Sequence, residues 1–169
     1  MTANLGALTG VRVVDLTTIL MGPMAARMLA DHGADVIRVE APSTPKDIVG
    51  GTTGLSAIVL DTHRNKRSVI LDLKTDEGAA AMAELIDSAD VLVTNMRSGA
   101  LDRLGLSAER LRATHPALIH CVANGYGADG PYADRAAYDD AIQAISGLAA
   151  LPTRISGEPA YVPSVIVDK

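Results

Sequence analysis

The sequence alternates short apolar runs with amphipathic stretches over most of its length. The apolar runs occupy residues 11–16, 34–40, 66–73, 91–95 and 118–123. Within each run the apolar residues largely follow one another instead of alternating with polar ones, which is typical of strands buried on both faces of a parallel sheet. The pattern predicts an α/β fold whose mainly parallel, Rossmann-like sheet is doubly wound, with helices on both faces.

The stretches between these runs carry helix signals. Gly22 and Pro23 open the first helix and Gly33 ends it, because proline suits the first helical turn and glycine the position just after the last. The further predicted helices cover residues 76–88, 101–104, 107–114 and 134–148. Residues 42–60 are rich in glycine, threonine and proline and have no clear period, so we expect a long surface loop there.

Composition excludes several classes of protein. The net charge is −5 and the cations are scattered, so we expect no nucleic-acid partner. No apolar run approaches the roughly 20 residues that a membrane helix needs, and the N-terminus has no signal-peptide pattern. Cys121 is the single cysteine, which fits a cytoplasmic protein, and its apolar neighbours predict a buried, inert thiol.

Several familiar catalytic motifs are missing from the sequence. No G-x-G-x-x-G follows the first apolar run, and neither a Walker A motif nor G-x-S-x-G occurs. The four histidines have no metal-ligand spacing, so we expect no metal site. These observations argue against a dinucleotide enzyme, a P-loop protein and a serine hydrolase of the α/β type.

Polar and small residues follow three successive predicted strands. They are Lys74 after the third, Asn95 and Arg97 after the fourth, and the Gly125–Gly127 turn after the fifth. Because ligands of open parallel sheets bind beyond the carboxyl ends of the strands, this row is consistent with a phosphate-bearing ligand. Lys66 and Arg67, at the start of the third strand, have two interpretations: a solvated strand start, or a cationic pair facing a phosphate.

Asp168 ends the last apolar run, SVIVDK. It is either a polar residue at the end of a strand, or a carboxylate made more nucleophilic by its apolar surroundings. We expect residues 1–150 to form the Rossmann-like domain and residues 151–169, where the regular pattern ends, to begin a further segment that carries Asp168. Since the chain ends within an apolar run, we also expect it to be a fragment.

Five stretches of the chain, in this order, resemble the family III CoA-transferases, the group that includes formyl-CoA transferase and L-carnitine CoA-transferase. They are GVRVVDLTTILMGPMAARMLADHGADVIRVE, NKRSVILDLK, ADVLVTNMRSGALDRLGL, GYGADGPYADRAAYDDAIQAISG and VPSVIVDK. The resemblance covers nearly the whole chain. It implies a Rossmann-like large domain followed by a smaller one, and a homodimer whose two subunits interlock like links of a chain.

The resemblance also implies a set of functional residues. Asp168 corresponds to the family's nucleophilic aspartate, which forms an aspartyl-acyl anhydride and then an aspartyl-CoA thioester. CoA or acyl-CoA is the substrate, a carboxylic acid is the acceptor, and no cofactor is covalently bound. The implied CoA contacts are Leu20, Met21, Leu71, Asp72, Leu73, Lys74, Asn95, Met96, Arg97, Arg103, Asn124, Gly125, Tyr126 and Gly127.

Some positions depart from the family's pattern. Leu20 stands where formyl-CoA transferase has a glutamine, and Asn124 stands where it has a lysine, so the substrate pair formyl/oxalate does not follow. Members that racemise 2-methylacyl-CoA have a histidine at the position of Tyr138, whereas a phenol holds its proton near neutral pH. A 2-methylacyl-CoA racemase, a CoA-binding fragment without catalysis, and a purely structural α/β domain stay as alternatives to the transferase.

Overall fold

The computed structural model describes residues 6–42 and 57–167. The chain forms two compact units, Met1–Ala123 and Asn124–Lys169. The first unit holds the whole sheet, and the second holds short helices and turns. The domain boundary expected near residue 150 stays a prediction.

The first unit is built on five parallel strands in the order β3-β2-β1-β4-β5. They are β1 (Arg12–Leu16), β2 (Asp35–Glu40), β3 (Arg67–Ile70), β4 (Val91–Thr94) and β5 (Ile119–Val122). From β1 the chain adds β2 and then β3 on one side of the sheet, and it then returns to the other side of β1 to add β4 and β5. The crevice between the carboxyl ends of β1 and β4 is therefore the topological switch point, where such sheets bind ligands.

Helices cover both faces of this sheet. They are α1 (Met21–Asp31), α2 (Ala57–Thr62), α3 (Asp76–Asp87), α4 (Ser98–Arg103) and α5 (Ala108–Thr114). Ala26 and Ala30 of α1 pack with Val13 in one apolar cluster. Met82 of α3 and Leu111 of α5 pack with strand residues in a second cluster. A buried cluster on each face confirms the predicted doubly wound α/β architecture.

Local sequence explains where several helices begin and end. The side chain of Thr75 accepts a hydrogen bond from the Gly78 N–H at 3.1 Å, and Ser107 caps α5 in the same way through the Arg110 N–H. Gly33, with φ of 101°, follows the end of α1 as predicted. Helix α1 begins at Met21, so Pro23 is its third residue, still within the first turn, where its missing N–H costs no helical hydrogen bond.

Two expectations from the sequence are wrong in part. Cys121 is exposed, because β5 is an edge strand and one of its faces is left open by the described residues; Ile119 on that face is 63% exposed. Residues 57–60 of the predicted loop belong to α2, where the Thr62 hydroxyl donates to the Ile58 carbonyl. The remainder of that loop, residues 43–56, lies outside the described residues.

The second unit contains α6 (Asp139–Ile145), a 3₁₀ turn (Leu148–Ala150) and α7 (Thr153–Ser156). The helix predicted for residues 134–148 is thus shorter at both ends. Tyr138 has extended backbone angles, and Gly147 adopts a left-handed φ of 82°. Across the described ranges, no helix combines the length and the apolar character that crossing a membrane requires.

Candidate functional site

A cleft of about 350 Å³ opens beyond the carboxyl ends of the strands, beside the switch point. Its described lining combines apolar side chains with charged and hydroxyl ones. The described lining residues are Leu16, Thr17, Thr18, Arg38, Val39, Glu40, Ala41, Leu71, Asp72, Leu73, Lys74, Met96 and Leu104. A lining of this kind suits a ligand that has both apolar and anionic parts.

The turn after β3 brings four of the predicted contact residues to the cleft: Leu71, Asp72, Leu73 and Lys74. The Lys74 N–H donates to the Asp72 carboxylate at 3.1 Å, so that side chain shapes its own turn. Helix α3 approaches the turn so closely that a Cβ at Gly78 would lie 2.0 Å from the Asp72 carbonyl oxygen. Only glycine at residue 78 leaves room for the turn in this position.

Of the three predicted contact residues that follow β4, only Met96 is in the described lining of the cleft. Met96 lines the cleft, and its N–H donates to the Thr94 hydroxyl at 3.1 Å. The Asn95 amide is bonded to the backbone of the β1–α1 turn: its Oδ1 accepts from the Thr18 N–H at 3.0 Å and its Nδ2 donates to the Thr18 carbonyl at 2.8 Å. Arg97 is exposed at the N-cap of α4.

Arg103 lines a neighbouring groove of about 410 Å³ rather than the cleft. Leu73 and Leu104 belong to the walls of both, so the groove and the cleft are adjacent. The groove also contains Arg110, whose guanidinium lies near Gly105. Of the three predicted cations in the first unit, Lys74 lines the cleft and Arg103 the groove, whereas Arg97 is in the described lining of neither.

Leu20 and Met21 lie where α1 begins, Leu20 as its N-cap and Met21 as its first residue. The preceding residue, Ile19, has a left-handed φ of 72°, which a β-branched side chain rarely adopts. Such a conformation costs about 1–3 kcal/mol and persists only where the surrounding contacts hold it in place. The β1–α1 turn is thus a strained segment at the edge of the cleft.

Four polar lining residues were not predicted from the sequence: Thr17, Thr18, Arg38 and Glu40. Arg38 Nη2 lies 3.2 Å from Glu40 Oε2, so the two charges at the end of β2 form an ion pair. These positions follow β1 and end β2. Ligands of open parallel sheets bind beyond the carboxyl ends of the strands, and this rule holds for β1 and β2 as well as for the later strands. Applied to β1 and β2, it would have identified these four residues from the sequence.

Lys66 fits neither of its two interpretations, because it is buried and its Nζ lies 2.7 Å from Asp15 Oδ2; the two side chains are 1% and 0% exposed. Burial lowers the pKa of Lys66, and the nearby Asp15 carboxylate opposes that change. Lys66 Nζ also donates to the Pro23 carbonyl at 2.7 Å. The neighbouring Arg67 pairs with Asp35 instead of facing an anion site.

In the second unit, Asn124, Gly125, Tyr126 and Gly127 begin the segment that leads to α6. A Cβ at Gly125 would lie 2.0 Å from the Ala137 Cβ, so this close approach requires glycine. The rings of Tyr126 and Tyr132 are 5.6 Å apart. The Gly127 carbonyl accepts from the Gly130 N–H at 3.1 Å, which closes a tight turn.

Two side chains of α6 hold the apolar run that precedes Asp168. Asp139 Oδ1 accepts hydrogen bonds from the Ile166 and Val167 N–H groups, both at 2.7 Å. The buried Gln143 accepts from the Val162 N–H at 2.9 Å, and its own amide donates to the Asp139 carboxylate. Asp168 itself lies outside the described residues. Within the described ranges the run does not form the strand expected from its sequence.

No group of three or more histidine, cysteine, aspartate or glutamate side chains in the described part of the chain is arranged to hold a metal ion. The described cleft offers charged groups for ion pairing and apolar surface for contact with a ligand.

The comparisons with known proteins agree on one family. The sequence model of CoA-transferase family III matches residues 8–169. Succinate–glutarate CoA-transferase of Agrobacterium fabrum is 39% identical over 171 residues, which cover 95% of this chain and 43% of that protein. Formyl-CoA:oxalate CoA-transferase of Streptomyces avermitilis is 40% identical over 148 residues, which cover 83% of this chain and 35% of that protein.

Solved structures show the same similarity. A CAIB/BAIF family protein from Brucella suis superimposes with a TM-score of 0.86 at 38% identity, covering 96% of this chain and 45% of the other. Rv3272 from Mycobacterium tuberculosis gives a TM-score of 0.86 at 35% identity, covering 98% of this chain and 46% of the other. The chain thus spans less than half the length of these relatives.

Proposed function

Because this chain belongs to CoA-transferase family III, as the match over residues 8–169 shows, we propose that the protein moves CoA from an acyl-CoA donor to a carboxylic acid acceptor. The observation that carries the proposal within this chain is the cleft at the carboxyl edge of the sheet, where the turn from Leu71 to Lys74 meets Met96. Relatives named for succinate, glutarate, acetyl-CoA or oxalate support transfer between carboxylic acids in general.

We assign the CoA to the cleft and the adjoining groove. Lys74 and Arg103 line these two depressions, and Arg97 lies on the surface at the start of α4. Guanidinium and ammonium groups bind phosphate through charge-assisted hydrogen bonds, so these cations serve the phosphates of CoA. The other proposed contacts in the first unit are Leu20, Met21, Leu71, Asp72, Leu73 and Met96; Asn95, which the family resemblance also implies, is bonded through its amide to the Thr18 backbone. Those in the second unit are Asn124, Gly125, Tyr126 and Gly127.

Asp168 is the proposed nucleophile. Its carboxylate oxygen attacks the thioester carbonyl carbon, the C–S bond breaks, and an aspartyl-acyl anhydride and CoA thiolate result. The thiolate then attacks the aspartyl carbonyl, which releases the donor acid and leaves an aspartyl-CoA thioester. The acceptor carboxylate attacks the carbonyl carbon of this thioester, the C–S bond breaks, and a second mixed anhydride and CoA thiolate result. The thiolate attacks the acceptor's acyl carbon in this anhydride, which gives the new acyl-CoA and returns the Asp168 carboxylate. Dividing the exchange into covalent steps lowers each barrier.

A second candidate is racemisation of a 2-methylacyl-CoA. That reaction needs a group that takes up and returns a proton near neutral pH, which is the role of histidine in such enzymes. Tyr138, at the position in question, is 68% exposed and offers a phenol. The side chain present at residue 138 therefore favours transfer.

The family resemblance also leads us to propose a cytoplasmic, interlocked homodimer as the assembly of the whole protein. Light scattering of the whole protein tests this, since a homodimer gives twice the mass of one polypeptide.

The proposed nucleophile is tested by Asp168→Ala in the whole protein. We expect CoA transfer to be abolished, because no carboxylate remains to form the anhydride, while CoA affinity stays within about twofold of the wild type, since the loss of a group that binds nothing in the ground state leaves affinity almost unchanged. Turnover is measured as exchange of label between an acyl-CoA and its free acid. Asp134→Ala, a change of an exposed aspartate in the same unit, is the control. Turnover retained in Asp168→Ala would refute the assignment.

A further inference from the structure

Two sets of side-chain contacts, called anchors below, hold the strained β1–α1 turn. The turn contains Thr17 and Thr18, which line the cleft, and Ile19, whose φ is 72°. One anchor is the buried ion pair of Asp15 and Lys66 behind the turn. The other is Asn95, which reaches across from β4 at the switch point. Both anchors consist entirely of described residues in the first unit.

The buried anchor acts on Thr17. Asp15 Oδ1 accepts from the Thr17 N–H at 3.1 Å and from its hydroxyl, while Asp15 Oδ2 is 2.7 Å from Lys66 Nζ. Lys66 Nζ also donates to the Pro23 carbonyl in the first turn of α1. The ammonium group therefore ties the end of β1 to the beginning of α1. Buried and bonded to protein acceptors, it has no access to a ligand phosphate.

The Asn95 anchor acts on Thr18. The side-chain oxygen of Asn95 accepts from the Thr18 N–H, and the side-chain nitrogen of Asn95 donates to the Thr18 carbonyl. This pair of bonds fixes the peptide groups on either side of Thr18 and hence the direction in which the chain enters the left-handed residue Ile19. One lone pair of Oδ1 and one N–H of Nδ2 are used in this way, so the Asn95 amide is held against the backbone of the turn.

We propose that Asn95 is a positioning residue, which, together with the Asp15–Lys66 pair, holds Thr17 and Thr18 as a preformed wall of the CoA cleft. The inference rests on the proposed function, because CoA is taken as the ligand. A preformed wall raises affinity by removing the cost of ordering the turn on binding. Removing the anchor therefore weakens binding even though no group that touches the ligand is lost.

The test compares Asn95→Ala with the wild type in two measurements on the protein. Hydrogen exchange of the Thr18 amide reports the anchor directly, and we expect its protection to fall at least tenfold in the unliganded variant. Isothermal titration with CoA reports the wall, and we expect the dissociation constant to rise about tenfold. Saturating CoA should restore part of the Thr18 protection, since the ligand orders the turn when the anchor cannot.

Ser88→Ala is the matched control, because it also removes one side chain that bonds to backbone, at the C-cap of α3 and outside the described lining of both the cleft and the groove. It should change neither Thr18 exchange nor CoA affinity. Thermal unfolding establishes that Asn95→Ala is folded, and Asn95→Ser, whose side chain is too short to bridge both Thr18 groups, repeats the test if it is not.

The outcomes separate the two levels of the proposal. Wild-type protein that does not bind CoA would overturn the proposed function, whatever the exchange data show. If the wild type binds CoA, unchanged Thr18 exchange in Asn95→Ala would overturn the positioning role, and weaker binding in that case would make Asn95 a direct contact. Increased Thr18 exchange with unchanged CoA affinity would also overturn the positioning role, because CoA would then bind equally well without the Asn95 hydrogen bonds to the turn.

Discussion

The folded structure disfavours the protonated, charged form of His63. Its Nδ1 lies 3.4 Å from Lys66 Nζ, next to the buried ion pair. Burial first, and then the nearby Arg38 and Lys66, lower the pKa of His63 to about 3. The folded protein therefore keeps this imidazole neutral, whereas the unfolded chain binds a proton near its ordinary pKa of about 6.5. Since the unfolded state binds more protons between these two values, stability falls as pH decreases from about 6.5 towards 3.

His63→Gln should reduce this acid sensitivity. The glutamine side chain can accept a hydrogen bond from Lys66 but takes up no proton. Protonation at residue 63 therefore no longer stabilises the unfolded state at low pH. We expect the decrease in melting temperature between pH 7.5 and 4.5 to be smaller than in the wild type. Some decrease should persist, because burial also lowers the pKa of His120. Identical pH profiles for the two proteins would contradict the assignment.

Among the elements, the ends of β3 and β4 and the helix α4 carry the cations assigned to CoA. Lys74 follows β3, Arg97 follows β4, and Arg103 ends α4. They are separated in the sequence, yet parallel strands bring their carboxyl ends to one edge of the sheet. The arrangement is a property of the elements together, since none of these residues alone forms an anion site.

Changing Lys74, Arg97 and Arg103 together to glutamine should weaken CoA binding. Each charge-assisted hydrogen bond that is lost costs about 1–3 kcal/mol, so the dissociation constant should rise by at least tenfold. Calorimetry on each single variant and on the triple variant measures the effect. Arg112→Gln, an exposed cation of α5, controls for the change in net charge. An unchanged affinity in the triple variant would place the CoA elsewhere.

The helix α6 shows how a short element can organise a neighbouring segment. It has seven residues, fewer than the roughly 12–15 at which an isolated helix becomes marginally stable in water. Asp139 and Gln143, one turn apart, bind backbone groups of Val162, Ile166 and Val167. Helix and segment therefore stabilise each other, and the segment that leads to Asp168 has a defined course up to Val167.

At the scale of the whole molecule, the chain covers 43% and 35% of the two transferases compared above. The second unit also exposes apolar side chains: Tyr161 is 57%, Val165 42% and Ile166 46% exposed. Apolar surface of this kind promotes association when it forms a continuous patch. These two relatives are more than twice as long as the region they share with this chain, so their catalysis can involve residues that have no counterpart in residues 1–169.

We therefore expect the 169-residue chain by itself to bind CoA without catalysing transfer, and to associate in solution. The measurements are exchange of label between an acyl-CoA and its own free acid, and the mass by light scattering. The longer succinate–glutarate CoA-transferase of Agrobacterium fabrum, assayed in parallel, is the control for activity. A monomeric chain that turns over acyl-CoA would show that residues 1–169 hold a complete active site.

Much of the fold follows from local patterns in the sequence. Runs rich in valine, isoleucine and leucine locate the five strands of the described sheet. The inner strands β1, β2 and β4 are largely buried, which requires apolar residues at successive positions, whereas the edge strands β3 and β5 carry exposed residues. Thr75, Ser107 and Gly33 locate helix ends, because capping depends on residues within one turn. The turn after β3 was likewise predictable as part of the cleft, since the end of a parallel strand can be read from the strand itself.

Other features depend on which distant segments meet, and only the tertiary structure decided them. Lys66 and Asp15 are 51 residues apart and Asn95 and Thr18 are 77 apart, so no local pattern reveals that one pair is buried together and the other closes the switch point. The same holds for Cys121, whose exposure depends on β5 being an edge strand. The sequence by itself determined the elements and the family, because these depend on neighbouring residues and their order. The strand order and the long-range hydrogen bonds determined which polar residues face a ligand and which hold the turn that forms the wall of the cleft.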